Sequence, residues 1–283
     1  MKVLPFKIPK PEHDAFAFQI DKEEAFYDKL HQHEEIQFSF IVEGEGTLVV
    51  GDTVNYYTKN DILVLGSNIP HVFKSDLNAS STSHMLTLFF TKDSFGIGFF
   101  QLEELKVLQK FFKRSKHGFK ITSKQKPIKD LFLQLENSSK LNRFFILLQL
   151  LKIASSANYK SLSSFIYNKK YSNNEGNRMR NVFDYTMNNF QNDISLEAIS
   201  EVATMTKNAF CKYFKKRTNK TYIQFLNELR LEHASRLLMS SNDLTIAEIA
   251  ELSGFNNISN FNRQFKVLKQ VNPMEFKKQK KAY

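Results

Sequence analysis

Two stretches near the C-terminus place side chains that can bond nucleic acid at helical spacing. Their polar faces consist of Asn208, Lys212, Lys215 and Lys216 in the first stretch, and of Ser259, Asn260, Arg263 and Lys266 in the second. Arg and Lys can bond guanine edges or phosphate oxygens, and Asn can bond adenine through two hydrogen bonds. One such face alone would fit a solvated helix equally well, but two faces in register favour DNA binding.

A second group of residues with chemical potential lies near the N-terminus. His31, His33, Glu35 and Gln37 occupy alternate positions, and a regular strand would therefore place them on one face. Imidazoles can bind zinc or iron, and the same polar groups can hold an organic molecule through hydrogen bonds. The spacing predicts a polar site in a β-rich region.

The elements that position the basic faces are predicted by a duplication between Asp193 and Phe276. The two copies align with an offset of 50 and then 51 residues. Each copy begins with a helix start, at Ser195 in the first and at Thr245 in the second, where Glu248 completes a capping box. A break and a second helix follow in each copy. This order predicts two helix-turn-helix units.

Residues 221–240 connect the two units and show helical spacing without Gly or Pro. Twenty helical residues span roughly 30 Å, which is close to the roughly 34 Å of one turn of B-DNA. One chain could therefore place both basic helices in consecutive major grooves.

Residues 178–278 resemble the DNA-binding domain of the AraC/XylS family of bacterial transcription regulators. The resemblance is carried by the run RLEHASRLL (230–238), by residues 245–266, and by Asn272-Pro273 with Phe276. The family usually has Gly after each recognition helix, whereas this chain has Asn219 and Gln270. Because Gln tolerates the left-handed conformation poorly, the second helix is expected to close differently from the first.

The resemblance implies a double-stranded DNA operator as partner, with RNA polymerase as a further one. It places Asn208, Cys211, Lys212, Ser259, Asn260 and Arg263 near base edges. The lysines better placed for phosphates are Lys207, Lys215, Lys216, Lys266 and Lys269.

From Ala15 to about Phe90 the sequence changes to short alternating segments separated by turn residues, which predicts an antiparallel barrel or sandwich. The segments His31–Val50 and Lys59–Phe73 resemble the cupin barrel that many AraC/XylS regulators carry. The cupin pattern brings His71 beside His31 and His33. In cupin enzymes the corresponding residues bind a divalent metal, but Gln37 stands here where those enzymes have Glu.

Three interpretations of this site follow: a bound metal, an effector pocket, or histidines that serve only structure. We expect a pocket for a small polar effector formed by His31, His33, Glu35, Gln37 and His71, with no resident cofactor. A divalent metal on His31, His33 and His71 is the alternative. The rival function is a cupin-type metalloenzyme with a helical appendage, and we expect a regulator and not an enzyme.

Residues 100–168 return to helical spacing, and the helix around Leu141–Ile153 is apolar over most of its circumference. Such a helix must be buried on more than one side, either by a second copy of the chain or by its own domain. The first interpretation predicts a homodimer. The polar segment Lys169–Asn177 is expected to be a linker, followed by a helix from Arg178 to Phe190.

Composition agrees with these expectations. The formal charge is +11, of which +7 lies in residues 176–283, as a polyanion partner would require. The single cysteine, Cys211, excludes an intramolecular disulfide, and we expect a cytoplasmic protein without a membrane partner.

The predicted fold is multi-domain α+β: a cupin-like sensor and dimerisation domain (1–168), a linker (169–177) and an all-α DNA-binding domain (178–283).

Overall fold

A computed structural model describes residue 8 and residues 14–166, 173–240 and 243–279. The chain divides into two compact units, residues 1–177 and residues 178–283, which are described separately. Among the described residues, no helix combines the length and the apolar character that crossing a membrane requires.

The first unit is built on two antiparallel sheets. Its strands are β1 (Ala17–Glu23), β2 (Ile36–Glu43), β3 (Gly46–Val50), β4 (Thr53–Tyr57), β5 (Ile62–Leu65), β6 (His71–Ser75), β7 (Ser83–Phe90), β8 (Phe119–Ile121) and β9 (Tyr159–Ser161). One sheet has the order β1-β7-β2-β5-β8-β9 and the other has the order β4-β3-β6. No strand pairing joins the two sheets into a closed ring within the described segments, so the expected barrel is open.

The pattern of β2 explains how the two sheets are layered. Phe38 and Phe40 belong to a core shared with helices, whereas Ile41 belongs to a second core with residues of both sheets. Because successive side chains point to opposite faces, β2 is buried on both faces and is accordingly apolar along most of its length. The larger sheet therefore lies between the smaller sheet and a helical layer.

The helical layer contains α1 (Gln109–Ser115), α2 (Gln125–Gln134) and α3 (Lys140–Ser156), preceded by 3-10 turns at Phe99–Gln101 and Glu103–Leu108. Helical spacing predicted these helices but not β8 and β9, which extend the larger sheet beside β5. The domain's own core buries one side of α3 through Ile146, Leu150 and Ala154. Leu141 and Phe145 on its other side remain 63% and 50% exposed.

The second unit is entirely helical among the residues described. Its helices are α4 (Asn173–Asn189), which starts just before the boundary between the units, α5 (Leu196–Val202), α6 (Lys207–Thr218), α7 (Tyr222–Ser240), α8 (Ile246–Leu252), α9 (Ile258–Lys269) and α10 (Pro273–Gln279). Residues 173–177, expected to be linker, already belong to α4, so the first helix starts before Arg178. Residues 169–172 of that expected linker lie outside the described residues.

Two aromatic cores flank α7. Its N-terminal half contributes Tyr222 and Phe225, whose rings lie 5.4 Å and 5.8 Å from the Phe214 ring of α6. Its C-terminal half contributes Ala234 and Leu238 to a cluster with α8 and α9. One helix thus supports both helix-turn-helix units.

The ends of the two helices α6 and α9 correct one expectation. Asn219 and Gln270 both take the left-handed conformation, at φ 55° and 63°, and each donates its N–H to the carbonyl four residues earlier. Gln270 also donates its side-chain amide to the carbonyl of Val267 at 2.8 Å. These local hydrogen bonds offset the strain, and the second helix therefore closes as the first does.

Candidate functional sites

Helices α5 and α6 form module 1, and helices α8 and α9 form module 2. Each first helix has the expected cap: the Oγ of Ser195 accepts from Ala198 at 3.0 Å, and Thr245 forms a complete capping box with Glu248. The following helices begin after Thr206 and Asn257, whose side chains cap them. Turn and caps set the direction in which α6 and α9 leave the core.

The outer face of α6 is basic. Phe210 and Phe214 are buried against the core, whereas Asn208, Lys212, Lys215 and Lys216 are exposed and Cys211 is half-buried. Lys212, Lys215 and Lys216 make no ion pair with any described residue. Their charges are available to an external anion.

The outer face of α9 is richer in hydrogen-bonding groups. Phe261 and Phe265 are buried, and the exposed polar residues are Ser259, Asn260, Asn262, Arg263 and Lys266. Arg263 donates from Nη2 to the Asn260 Oδ1 at 2.9 Å, which pairs the two side chains on the surface. Asn262 was not singled out from the sequence, although it lies on the same exposed side.

Two lysines expected to contact phosphates have partners inside the protein. Lys207 is bonded to Glu197 of α5, and Lys269 donates to the Glu232 carboxylate of α7 at 2.6 Å. Either lysine would have to leave its carboxylate to reach DNA. The unpaired lysines of α6 and Lys266 are therefore the better candidates.

A junction between the end of α4 and module 2 contains residues whose role the sequence analysis missed. Arg230 of α7 donates from Nε to the carbonyl of Phe190 and from Nη2 to that of Asn192, both at 2.7 Å. Beside it, Gly254 has φ 85°, and a Cβ there would lie 2.6 Å from the Phe190 carbonyl oxygen. Arg230 and Gly254 thus join the end of α4 to the turn of module 2. The Gly in the turn was the signal available from sequence.

In the first unit, the structure brings together His31, His33 and His71. One ring nitrogen from each lies within 4.8 Å of the others, and the residues are 7%, 1% and 0% exposed. The backbones of His31 and His71 form an isolated bridge with hydrogen bonds of 3.0 Å and 2.8 Å. His31 and His33 therefore precede β2 and do not lie on one regular strand with Gln37, as the alternation assumed.

All three imidazoles are oriented by backbone carbonyls. Each Nδ1 lies 2.8–2.9 Å from a carbonyl oxygen two residues away, at Lys29, Glu35 and Ile69 respectively. A carbonyl only accepts, so Nδ1 carries the proton and Nε2 presents its lone pair. Burial lowers the pKa of His33, and burial with the neighbouring histidines lowers the pKa of His71 well below its usual range. Both rings are neutral at physiological pH.

Gln37 and Glu35 occupy different sides of His33. Gln37 is buried, and its Oε1 lies 3.4 Å from His33 Nε2. The Glu35 carboxylate lies 3.8 Å from Nδ1, on the side anchored to the backbone. Gln37 faces the converging nitrogens, and Glu35 does not.

A cavity of about 320 Å³ adjoins the histidine cluster. Its apolar wall includes Phe26, Phe73, Met85 and Phe89. Its polar lining consists of Gln19, Asp21, Glu23, Tyr27, His31 and Gln37. The β1 residues in this lining were not predicted from the sequence.

Comparison with known proteins supports the DNA-binding interface. Residues 199–279 match the family model of a helix-turn-helix domain, which covers module 2 and the part of module 1 from Ile199 onward. YdeC, an HTH-type transcriptional regulator of Bacillus subtilis strain 168, is 23% identical over 261 residues, covering 89% of this chain and 87% of the relative. An HTH-type regulator of Pseudoalteromonas carrageenovora is 31% identical over 100 residues, covering 35% of this chain and 58% of that relative.

Among solved structures, ToxT from Vibrio cholerae covers 93% of this chain and 97% of its own, at 14% identity and a TM-score of 0.36. At that score the likeness adds nothing to the assignment, which rests on the doubled motif and the matching family. The family and the relatives are transcription regulators and not enzymes, as expected. The chain is therefore a DNA-binding transcriptional regulator of the AraC type.

Proposed function

We propose that α6 and α9 read an operator in two successive major grooves, with Asn208, Lys212 and Arg263 among the residues near base edges. The supporting observation is the pair of outward polar faces, each backed by buried phenylalanines and supported by the single helix α7. Within this proposal Cys211, Ser259 and Asn260 also approach bases. Lys215, Lys216 and Lys266 contact phosphates, joined by Lys207 and Lys269 when those leave their carboxylates.

The first unit, in this proposal, is a cupin-like sensor that binds a small polar effector. The cavity of about 320 Å³ is within the size range of small-molecule sites and combines an apolar wall with few polar groups. His31 and Gln37 contact the effector directly, whereas His33 and His71 support the site from behind. Effector binding changes operator affinity by about 1–3 kcal/mol, a typical coupling between two sites.

We further propose a homodimer formed through α3. Leu141 and Phe145 lie about one turn apart on the same side of α3, and both are exposed. Exposed apolar side chains grouped in this way commonly mark protein interfaces. RNA polymerase is a further proposed partner, as the family resemblance implies.

The test of the DNA-binding proposal is to map the genomic fragments that full-length protein binds and to measure affinity for the best fragment and for random DNA. We expect a preference of at least about a thousandfold. Equal affinity for both would overturn the operator proposal.

The dimer is tested by sedimentation of full-length protein at micromolar concentration. Phe145→Glu should shift a dimer to monomer, because it places a charge in the apolar interface. Lys113→Glu, a charge reversal at an exposed lysine of α1, is the matched control outside α3. A wild-type protein that is monomeric with and without DNA would contradict the dimer.

A further inference from the structure

The cavity beside the histidine cluster is lined by two carboxylates, those of Asp21 and Glu23 on β1. Within the described part of the chain, no lysine or arginine contributes to this lining. Neither carboxylate forms an ion pair with a described residue. The cavity therefore carries negative charge that the described residues do not neutralise.

The pairing of β1 with β7 explains why both carboxylates face the cavity. Asp21 lies directly opposite Met85, and both residues line the cavity. Because alternate residues of a strand share one face, Glu23 lies on the same face as Asp21. Lys22, between them, belongs to the opposite face and is absent from the lining. The nearest positive charge in the sequence is thus directed away from the cavity.

The two carboxylates are electrostatically unfavourable neighbours. They lie two residues apart on one strand face, which places their Cβ atoms about 7 Å apart. Burial raises the pKa of Asp21; the hydrogen bond from the Gln19 side chain opposes this shift, and the charge of Glu23 adds to it. A positive group inside the cavity would attract both carboxylates and offset this cost.

The remaining wall favours an organic cation over a metal ion or a sugar. Phe26, Phe73, Phe89 and Met85 form its apolar part, and the rings of Phe26 and Phe73 meet edge to face at 5.7 Å. Aromatic rings attract ammonium groups and also bury apolar carbon. A metal ion would leave these rings without a partner. Hydroxyl groups of a sugar would lose hydrogen bonds to water against the same wall.

We propose that the effector is a small organic amine that binds in its protonated form. Its ammonium group donates charge-assisted hydrogen bonds to Asp21, which is half-buried, and is attracted by Glu23, which is exposed at the entrance. Its apolar body packs against Phe26, Phe73 and Phe89 in the cavity of about 320 Å³. The role of this ligand as effector rests on the proposed function, whereas the preference of the cavity for a cation does not.

The test compares three probes of similar shape but different charge: phenethylamine, phenethyl alcohol and phenylacetate. Isothermal titration calorimetry measures their binding to full-length protein, whose basic second unit does not attract the cationic probe. We expect phenethylamine to bind with a Kd below about 1 mM and at least about tenfold more tightly than the other two. Equal binding of the three probes, tighter binding of the alcohol or the carboxylate, or no binding of phenethylamine would overturn the proposal.

Variants locate the charge that is responsible. Asp21→Asn should weaken phenethylamine binding at least about tenfold, and Glu23→Gln should weaken it less, because Glu23 is more exposed. Glu24→Gln is the matched control, since Glu24 is an exposed carboxylate next in sequence that does not line the cavity. This control should bind as the wild type does. Equal losses for Asp21→Asn and Glu24→Gln would refute the assigned site.

The stability of the ligand-free protein provides a second readout. The raised pKa of Asp21 means that its ionised form is disfavoured in the folded state, so removal of the charge should stabilise the fold at neutral pH. Asn keeps an oxygen that can accept from Gln19. We therefore expect Asp21→Asn to raise the Tm without ligand. A lower Tm would show that a cation of the chain itself neutralises Asp21, which would contradict the proposal.

Operator binding is then measured with and without phenethylamine. Binding of the amine that depends on Asp21 but leaves operator affinity unchanged would contradict the proposed sensor function and support the preference for a cation. A neutral or anionic compound that binds in the cavity and changes operator affinity would contradict the amine proposal and support the sensor function.

Discussion

Module 1 and module 2 follow the same order of elements but differ in what they expose and in how their turns are made. The surface of α6 carries lysines, whereas that of α9 carries Ser259, Asn260, Asn262 and Arg263. Lysine is a point charge suited to phosphate, and Arg and Asn have the paired groups that distinguish bases. The difference suggests that module 1 contributes mainly affinity and module 2 mainly sequence preference.

The turns differ for a packing reason. Thr204 in module 1 takes φ 51° and is exposed, whereas Gly254 in module 2 takes φ 85° and is buried against Phe190 and Arg230. Module 1 can therefore accept a side chain at this position despite the unfavourable φ. Module 2 cannot, because its turn also forms the junction with α4.

The largest expected effect is that of Gly254→Ala. Its new Cβ would meet the Phe190 carbonyl oxygen at 2.6 Å at a left-handed φ, and we expect the free energy of unfolding to fall by about 2–4 kcal/mol. Thr204→Gly, the matched change in module 1, should alter it by less than about 1 kcal/mol. Urea unfolding followed by circular dichroism measures both. Equal effects in the two turns would contradict the packing difference.

The second prediction concerns which side chains contribute affinity for any DNA and which contribute preference for the operator sequence. Arg263→Ala should cost about 1–3 kcal/mol on the operator and flatten preference at one or two base pairs. Lys266→Ala and Lys216→Ala should weaken operator and random DNA alike and reduce the salt dependence by about one phosphate contact. Binding titrations at several salt concentrations separate these outcomes. Equal losses on both DNAs for Arg263→Ala would refute its assigned role.

A smaller difference is expected at the helix starts. The Thr245 side chain accepts from the Glu248 N–H at 3.2 Å, and the Glu248 carboxylate accepts from the Thr245 N–H at 2.7 Å. The Ser195 side chain accepts from the Ala198 N–H, without a second bond of the capping-box kind. Thr245→Ala should therefore lower the free energy of unfolding by about 1–2 kcal/mol, and Ser195→Ala by about 0.5–1 kcal/mol. Thermal unfolding of the two variants ranks them, and a larger loss for Ser195→Ala would argue against the capping box.

The smallest expected effect has the opposite sign. Gln270→Gly relieves the strain of a non-glycine residue in the left-handed conformation but also removes the side-chain hydrogen bond to Val267. We expect a net increase of about 0.5–1 kcal/mol in the free energy of unfolding. Asn219→Gly should gain less, since Asn adopts this conformation more readily. The same thermal measurement applies, and destabilisation by Gln270→Gly would mean that its side-chain bond outweighs the strain.

Local signals allowed much of the second unit to be predicted. The caps at Ser195 and Thr245 and the spaced phenylalanines of α6 and α9 act within a few residues, so the sequence displays them directly. The low preference of Gln for the left-handed conformation led to a wrong prediction at Gln270. That conformation is stabilised by hydrogen bonds to Lys266 and Val267, which the preference of the residue alone does not include. The early start of α4 was missed because residues 173–177 are polar and contain a glycine.

The first unit was less predictable because its interior depends on contacts distant in sequence. Asp21 and Glu23 line the cavity only because β1 pairs with β7, more than sixty residues later. The alternation of polar and apolar residues does not show which strands pair, so it did not predict that β1 lies beside β7 or that β8 and β9 join the larger sheet. It also assumed one regular strand from His31 to Gln37, whereas β2 starts at Ile36.

The continuity of α7 limits how such a regulator can change over evolution. One residue inserted into this helix before Arg230 would turn module 2 by about 100° and move it about 1.5 Å relative to module 1, and would break the bonds of Arg230 to the end of α4. Substitutions on the exposed faces of α6 and α9 disturb neither core. If α6 and α9 read DNA as proposed, new target sequences are readily accessible by point mutation, whereas the distance between the two DNA segments is inherited nearly unchanged.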